Sequence, residues 1–137
     1  MNCYAVIDTN VLVSALLTTH EDAATIQVIV KVIDGTITPL CSEAIFKEYT
    51  EVLRRRKFQF SKDRIENLLA IFKTTGFMVS PKGTKFDLPD IKDVPFYEVV
   101  MEKRDAGAYL VTGNLKHFPQ QPYVVTPREM LEILKEM

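Results

Sequence analysis

The chain has 137 residues, 47% apolar and 26% charged, the make-up of a single globular domain rather than a disordered or fibrous segment. Seventeen Lys and Arg against 18 Asp and Glu leave a formal net charge of −1, so no basic field marks a dedicated nucleic-acid-binding module. The opening MNCYAVID lacks the form of a secretion signal, and no apolar run nears the roughly 20 residues of a membrane span, so a cytoplasmic protein without membrane contact is expected.

Cys3–Ile7 reads as a short buried strand. Thr9–Leu17 reads as a helix directly after Asp8, and Asp22–Ile33 as a second helix closed by Asp34-Gly35. Ile37–Cys41 is a second strand. Ser42 can cap a third helix running to about Lys57, and Ser61 a fourth ending near Thr75-Gly76. Phe77–Val79 is a third strand. Ser80–Pro95, with Pro81, Gly83, Pro89 and Pro95, is polar and reads as a loop. A helix over roughly Pro95–Arg104 follows, then strands at Ala108–Thr112 and Tyr123–Val125. Thr126-Pro127-Arg128-Glu129 is a capping box with Pro at the first helical position, opening a last helix. Cys3 and Cys41 fall in strands and are expected to be buried free thiols. Two Cys and two His without a tight pair make no zinc site.

Short apolar strands alternating with helices predict an α/β fold: a parallel sheet covered on both faces. In such sheets sites form beyond the carboxyl ends of the strands. Asp8 follows strand one, Ser42 strand two and Gly113-Asn114 strand four, so these positions share one sheet edge.

Three acids stand where acids are unusual. Asp8 closes the apolar run Tyr4–Ile7, and Asp93 directly precedes Val94-Pro95-Phe96-Tyr97. Glu48 falls within the stripe Ala44, Ile45, Tyr49, Val52 and Leu53 of the third helix, with Glu51 further from its centre and Glu43 nearly opposite. A carboxylate facing a packed interior costs several kcal/mol unless something pairs with it. Three such positions far apart in sequence point to one shared hard cation, Mg²⁺ or Mn²⁺. Each has an ordinary alternative: Asp8 as a helix cap, Glu48 as an edge residue reaching water, Asp93 or Asp90 as the cap of the helix that follows. Asp87 reads as a solvated acid. Asn10 and Ser14 share a helix face beside Asp8 and could steady it. Asn114 could accept from a water on the ion, and His117 follows it. Arg54-Arg55-Arg56-Lys57 is expected in the last turn of a helix, favoured there by the helix dipole, with phosphate contact as the other reading.

Four stretches in this order, AVIDTNVLVSALL, SEAIFKEYTEVLRRRKF, LPDIKDVPFYEVV and AYLVTGNLKHFP with VVTPREML, resemble a PIN domain, most of all the toxin components of toxin–antitoxin pairs (VapC-like). The resemblance spans nearly the whole chain. It implies a three-layer α/β/α sandwich with a central, mainly parallel five-stranded sheet. It also implies a metal-dependent ribonuclease in which Asp8, Glu48 and Asp93 are the acidic ligands and Thr9, Asn10 and Ser14 support them. The fourth acidic position of many such domains falls on Asn114, and Val100 stands where relatives often carry Ala, a packing change. Mg²⁺ or Mn²⁺ would lower the pKa of water for attack on an RNA phosphodiester, with Asp90 and Asn114 as further supporting groups. Arg55, Arg56, Lys116 and His117, together with Arg54 and Lys57, are the candidates for contact with the RNA. An antitoxin protein and a second copy of the chain are the partners the resemblance implies. The alternative is a catalytically weak or inactive PIN-like module that binds RNA or protein. A phospho-accepting role for Asp8 is weaker, because Asp8-Thr9-Asn10 lacks the second nearby Asp such enzymes often use.

Overall fold

The computed structural model describes residues 3–82, 86 and 88–137. The expected loop residue Gly83 and the expected solvated acid Asp87 lie outside the described residues. Five strands make one all-parallel sheet: β1 (Cys3–Ile7), β2 (Ile37–Cys41), β3 (Phe77–Met78), β4 (Tyr109–Val111) and β5 (Val124–Val125), in the order β3-β2-β1-β4-β5. Six helices accompany them: α1 (Thr9–Leu17), α2 (Ala24–Ile33), α3 (Glu43–Leu53), α4 (Lys62–Thr75), α5 (Val94–Glu102) and α6 (Pro127–Lys135). This is the expected α/β/α architecture.

The sheet is central because its strands are apolar on both sides. Ala5, Val6 and Ile7 are consecutive and all fully buried, although successive strand residues point to opposite faces. Both faces of β1 are therefore covered. Helix α5 lies against β1, β2 and β4, while α2 packs on β2 and joins α1, α4 and α6. The core runs through Tyr49, Phe72 and Phe96, whose rings meet edge-on or tilted. The Tyr49 hydroxyl donates to the Ile7 carbonyl, tying α3 to the last residue of β1.

The expected caps are present. Ser42 accepts from the Ile45 amide, Ser61 from the Arg64 amide, and Thr126 with Glu129 forms the full capping box. Both cysteines are buried free thiols.

Several boundaries differ. Helix α2 starts at Ala24 instead of Asp22, and α5 at Val94, so Pro95 belongs to its first turn rather than to the loop. Helix α3 stops at Leu53, not Lys57. Leu53 is the last buried residue of its stripe (Ile45, Tyr49, Leu53), and beyond it nothing apolar remains to hold the helix on the core. Arg54 is the C-cap, Arg55 is extended, and Arg56–Phe58 form a 3-10 turn. The four cations thus do not form a last helical turn. Ala44, placed in the buried stripe by spacing, is exposed.

The chain runs from β1 outward through β2 to β3, then returns across the sheet to β4 on the other side of β1. The strand order therefore reverses between β1 and β4. A crevice beyond the carboxyl ends of the strands is expected at such a switch point.

Candidate active site

The crevice is built from Asp8 outward. The backbone of Asp8 leaves β1 extended, with its amide donating to the Val111 carbonyl of β4 at 2.9 Å. Asp8 occupies the N-cap position of α1, but its carboxylate does not cap. Instead Oδ2 accepts from Thr112 Oγ1 at 2.7 Å and from Asn10 Nδ2 at 3.0 Å. Asn10 Oδ1 in turn accepts from the Gly113 amide at 3.1 Å. The Asn10 amide therefore clamps the end of β4 to the start of α1 and leaves the Asp8 carboxylate at the seam.

Thr9, the first residue of α1, donates its hydroxyl to Glu48 Oε2 at 3.1 Å. Glu48 is half-buried at the edge of the α3 stripe, whereas Glu43 and Glu51 are exposed. Asp93 ends a 3-10 turn (Ile91–Asp93) and immediately precedes α5. It too makes no side-chain cap. Asp90 does that work for the 3-10 turn, its carboxylate accepting from the Lys92 amide at 2.9 Å. His117 Nδ1 stands 3.2 Å from Asp93 Oδ2, and His117 Nε2 stands 2.9 Å from Asn114 Nδ2. The His117 contact is of ion-pair length. Apart from it, Asp93 Oδ2 is buried with no hydrogen-bond partner.

Asp8, Glu48 and Asp93 line one open cleft of about 630 Å³. Thr9, Asn10, Ser14 and Asp90 line it as well, as do Arg55 and His117. Arg56 and Lys116 do not; Lys116 faces a separate hollow beside Phe118 and Val124. Asn114 does not line the cleft; its side chain meets His117, and its backbone amide donates at 3.0 Å to Thr112 Oγ1, the donor to Asp8. Three residues that local pattern left out complete the picture. Thr112 is the fully buried donor to Asp8, while Lys92 and Phe58 stand on the cleft wall. A polar residue ending a strand opposite Asp8 was the available signal for Thr112; Lys92 and Phe58 gave none.

The electrostatics follow from this packing. Burial pushes the Asp8 carboxyl up to about 6, and the charges of Asp93 and Glu48 add to that rise. The Thr112 hydroxyl and the Thr9 amide oppose it. Burial also raises Asp93, with Asp90 and Glu48 adding and His117 opposing. Among the described residues no Lys or Arg forms a salt bridge with any of the three acids.

A hard divalent cation fits this donor set: carboxylates that disfavour one another's charge, and a buried carboxylate oxygen without a partner. Among the described residues no three His, Cys, Asp or Glu side chains already close on a single point. The neutral donors Thr112, Asn10 and Thr9 engage two of the three carboxylates. Such a set suits an ion like Mg²⁺, which keeps several waters and takes few direct carboxylates.

The chain thus presents a parallel α/β sheet with a carboxylate-lined cleft at its switch point. The family model described as the PIN domain matches residues 4–116, from β1 through β4 and past every carboxylate of the cleft. The chain belongs to the PIN domain family. No curated protein matches it. No helix among the described residues is long and apolar enough to cross a membrane.

Proposed function

We propose that the protein is a Mg²⁺- or Mn²⁺-dependent endoribonuclease, working as a single PIN domain in the cytoplasm as the toxin of a toxin–antitoxin pair. The observation that carries the nuclease reading is the convergence of Asp8, Glu48 and Asp93 from three separate elements on one cleft, with no Lys or Arg salt-bridged to any of them among the described residues. The toxin assignment rests on the likeness of the four sequence stretches to such toxins. An antitoxin protein and a second copy of the chain are its proposed partners.

Asp8, Glu48 and Asp93 would hold the cation, which when bound supplies Lewis acidity and a lowered pKa for the attacking water. The chain's own residues do the positioning. Thr112 and Asn10 fix one oxygen of Asp8, Thr9 fixes one oxygen of Glu48, and His117, steadied by Asn114, stands beside Asp93. Arg55 and Lys92 on the cleft wall offer positive charge to an RNA phosphate, and the open cleft gives a strand room to enter. Ser14 and Asp90, which line the cleft, would support the ion through ordered water.

A second reading, a PIN-like module that binds without turnover, is favoured by the amide at position 114 and by carboxylates that do not close on one point. One assay separates the two. End-labelled single-stranded RNA is incubated with the protein and Mn²⁺, with EDTA, and with Asp8→Asn. Cleavage that requires both the metal and Asp8 is expected. Metal-independent cleavage, or cleavage by Asp8→Asn at the wild-type rate, refutes the metal-dependent carboxylate site; RNA binding without any cleavage supports the second reading.

A further inference from the structure

Between the end of α3 and the start of α4 the chain makes an unusual turn. After the 3-10 turn, Gln59 adopts φ 54, a left-handed conformation that non-glycine residues rarely take. This reversal lays the rings of Phe58 and Phe60 on each other, centroids 5.3 Å apart and planes 12° from parallel. The two rings have different surroundings. Phe60 packs against the core, with the Arg64 guanidinium 5.8 Å from its ring and the same guanidinium donating to the Leu16 carbonyl at 2.9 Å. Phe58 is half-buried and lines the carboxylate cleft, beside Arg55. Its other close neighbour is the Lys57 ammonium, 5.1 Å from the ring centroid.

Phe60 holds the loop on the core, and Phe58, stacked on that anchored ring, lines the carboxylate cleft. An exposed ammonium over an aromatic ring is a weak interaction, weaker than a stacked nucleobase. Lys57 is exposed and on a flexible stem, so it can leave the ring for a phosphate at little cost. The cleft then offers an aromatic face, a guanidinium and a carboxylate floor in one continuous surface. A single-stranded nucleic acid presents a base, a phosphate and a scissile bond in the same way.

We propose that Phe58 is a stacking platform for one unpaired nucleobase of a single-stranded nucleic acid lying in the cleft. Lys57 yields the ring face and Arg55 meets the adjacent phosphate. The assignment rests on the ribonuclease reading and narrows its substrate to unpaired strands. A duplex keeps its base faces stacked and cannot use the platform.

The test is fluorescence anisotropy of the full chain in EDTA at low salt. The probes are a labelled 12-nucleotide oligoriboadenylate, an abasic strand with equal phosphates, the deoxy strand and an RNA duplex. The wild type is expected to prefer the riboadenylate over the abasic strand by about 5- to 100-fold, the range of one stacked base. Phe58→Ala should abolish that preference, and Phe58→Trp should restore it. Arg55→Ala should weaken both strands alike and reduce the salt slope by about one. No preference in the wild type, an unchanged preference in Phe58→Ala, or equal binding of the duplex overturns the platform. A preference for the deoxy strand keeps the platform and overturns the RNA assignment. Mn²⁺-dependent hydrolysis of bis(p-nitrophenyl) phosphate reports the metal centre separately. A wild type that hydrolyses this ester but shows no base preference overturns the platform alone, whereas a wild type that does neither overturns the ribonuclease reading with it.

Discussion

Replacing Asp8 with Asn should make the protein more stable while abolishing its activity. Asp8 is 5% exposed, and its carboxyl is raised from the ordinary 3.8 to about 6. The ionised form is therefore less welcome in the fold than in the unfolded chain, at 1.36 kcal/mol per pKa unit. Below 3.8 both states carry the neutral acid and nothing is lost. As pH rises through about 6 the folded state must give up a proton it holds more tightly than the unfolded chain does, and about 3 kcal/mol of stability goes. Asn escapes this loss. The two recorded side-chain donors, Thr112 Oγ1 and Asn10 Nδ2, both address one oxygen, Oδ2, which the Asn carbonyl can replace. Urea denaturation in EDTA should find Asp8→Asn more stable than wild type by about 1–3 kcal/mol at pH 8, with the gap closing towards pH 4. A gap of opposite sign at pH 8, or one that does not change with pH, would show that Asp8 is not held as an unfavourable buried charge.

Metal should reverse that penalty. Mn²⁺ at 100 times its dissociation constant is expected to stabilise the wild type by about 2.7 kcal/mol, and Asp93→Asn to lose most of this response; thermal melting at constant ionic strength measures both. Thr112→Val removes the hydroxyl that holds Asp8 down, so Asp8 should titrate above 6 and stability at pH 8 should fall by about 1–3 kcal/mol, less at pH 4, where the carboxyl is neutral. Thr126→Ala breaks the α6 capping box and should cost about 1 kcal/mol without changing metal response or cleavage, since α6 contributes nothing to the cleft. A changed cleavage rate in that variant would mean that α6 reaches the site by a route its packing does not suggest.

How far the sequence discloses this molecule depends on whether a feature is local. The bounds of β1, β2 and α1 follow from apolar runs ended by Asp8, Ser42 and the polar residues after Leu17, and the structure keeps them. Ser42, Ser61 and Thr126 cap because each sits directly before a helical pattern. The end of α3 was not legible, since good helix formers continue through Arg54-Arg55-Arg56-Lys57. What stops the helix is the last core contact at Leu53, together with a left-handed turn at Gln59 that no glycine announces. The three acids stood out by their place in apolar patterns, and the structure brings them to one cleft. The bonds that orient them were not readable, because Thr112 lies 104 residues from Asp8, and Thr9 39 residues from Glu48. Only the strand order β2-β1-β4 makes these residues neighbours.

That long-range network also holds the acids without cancelling their charge. Each could have been neutralised by an Arg or Lys, which would lower its pKa and stabilise the fold. The chain surrounds Asp8 and Glu48 instead with neutral donors, Thr112, Asn10 and Thr9, which fix geometry without cancelling charge. Its cations stand on the wall, at Arg55 and Lys92, and form no salt bridge to the floor. Asp93 has His117 beside it, at 3.2 Å. Negative charge is thus held in place, partly desolvated and without a Lys or Arg against it, where an incoming divalent ion gains most from meeting it. On the proposed function, the same arrangement would let a chain of net charge −1 accept a polyanion. The repulsion is concentrated on the floor, where the cation would cancel it, and the positive groups lie where the phosphates would pass.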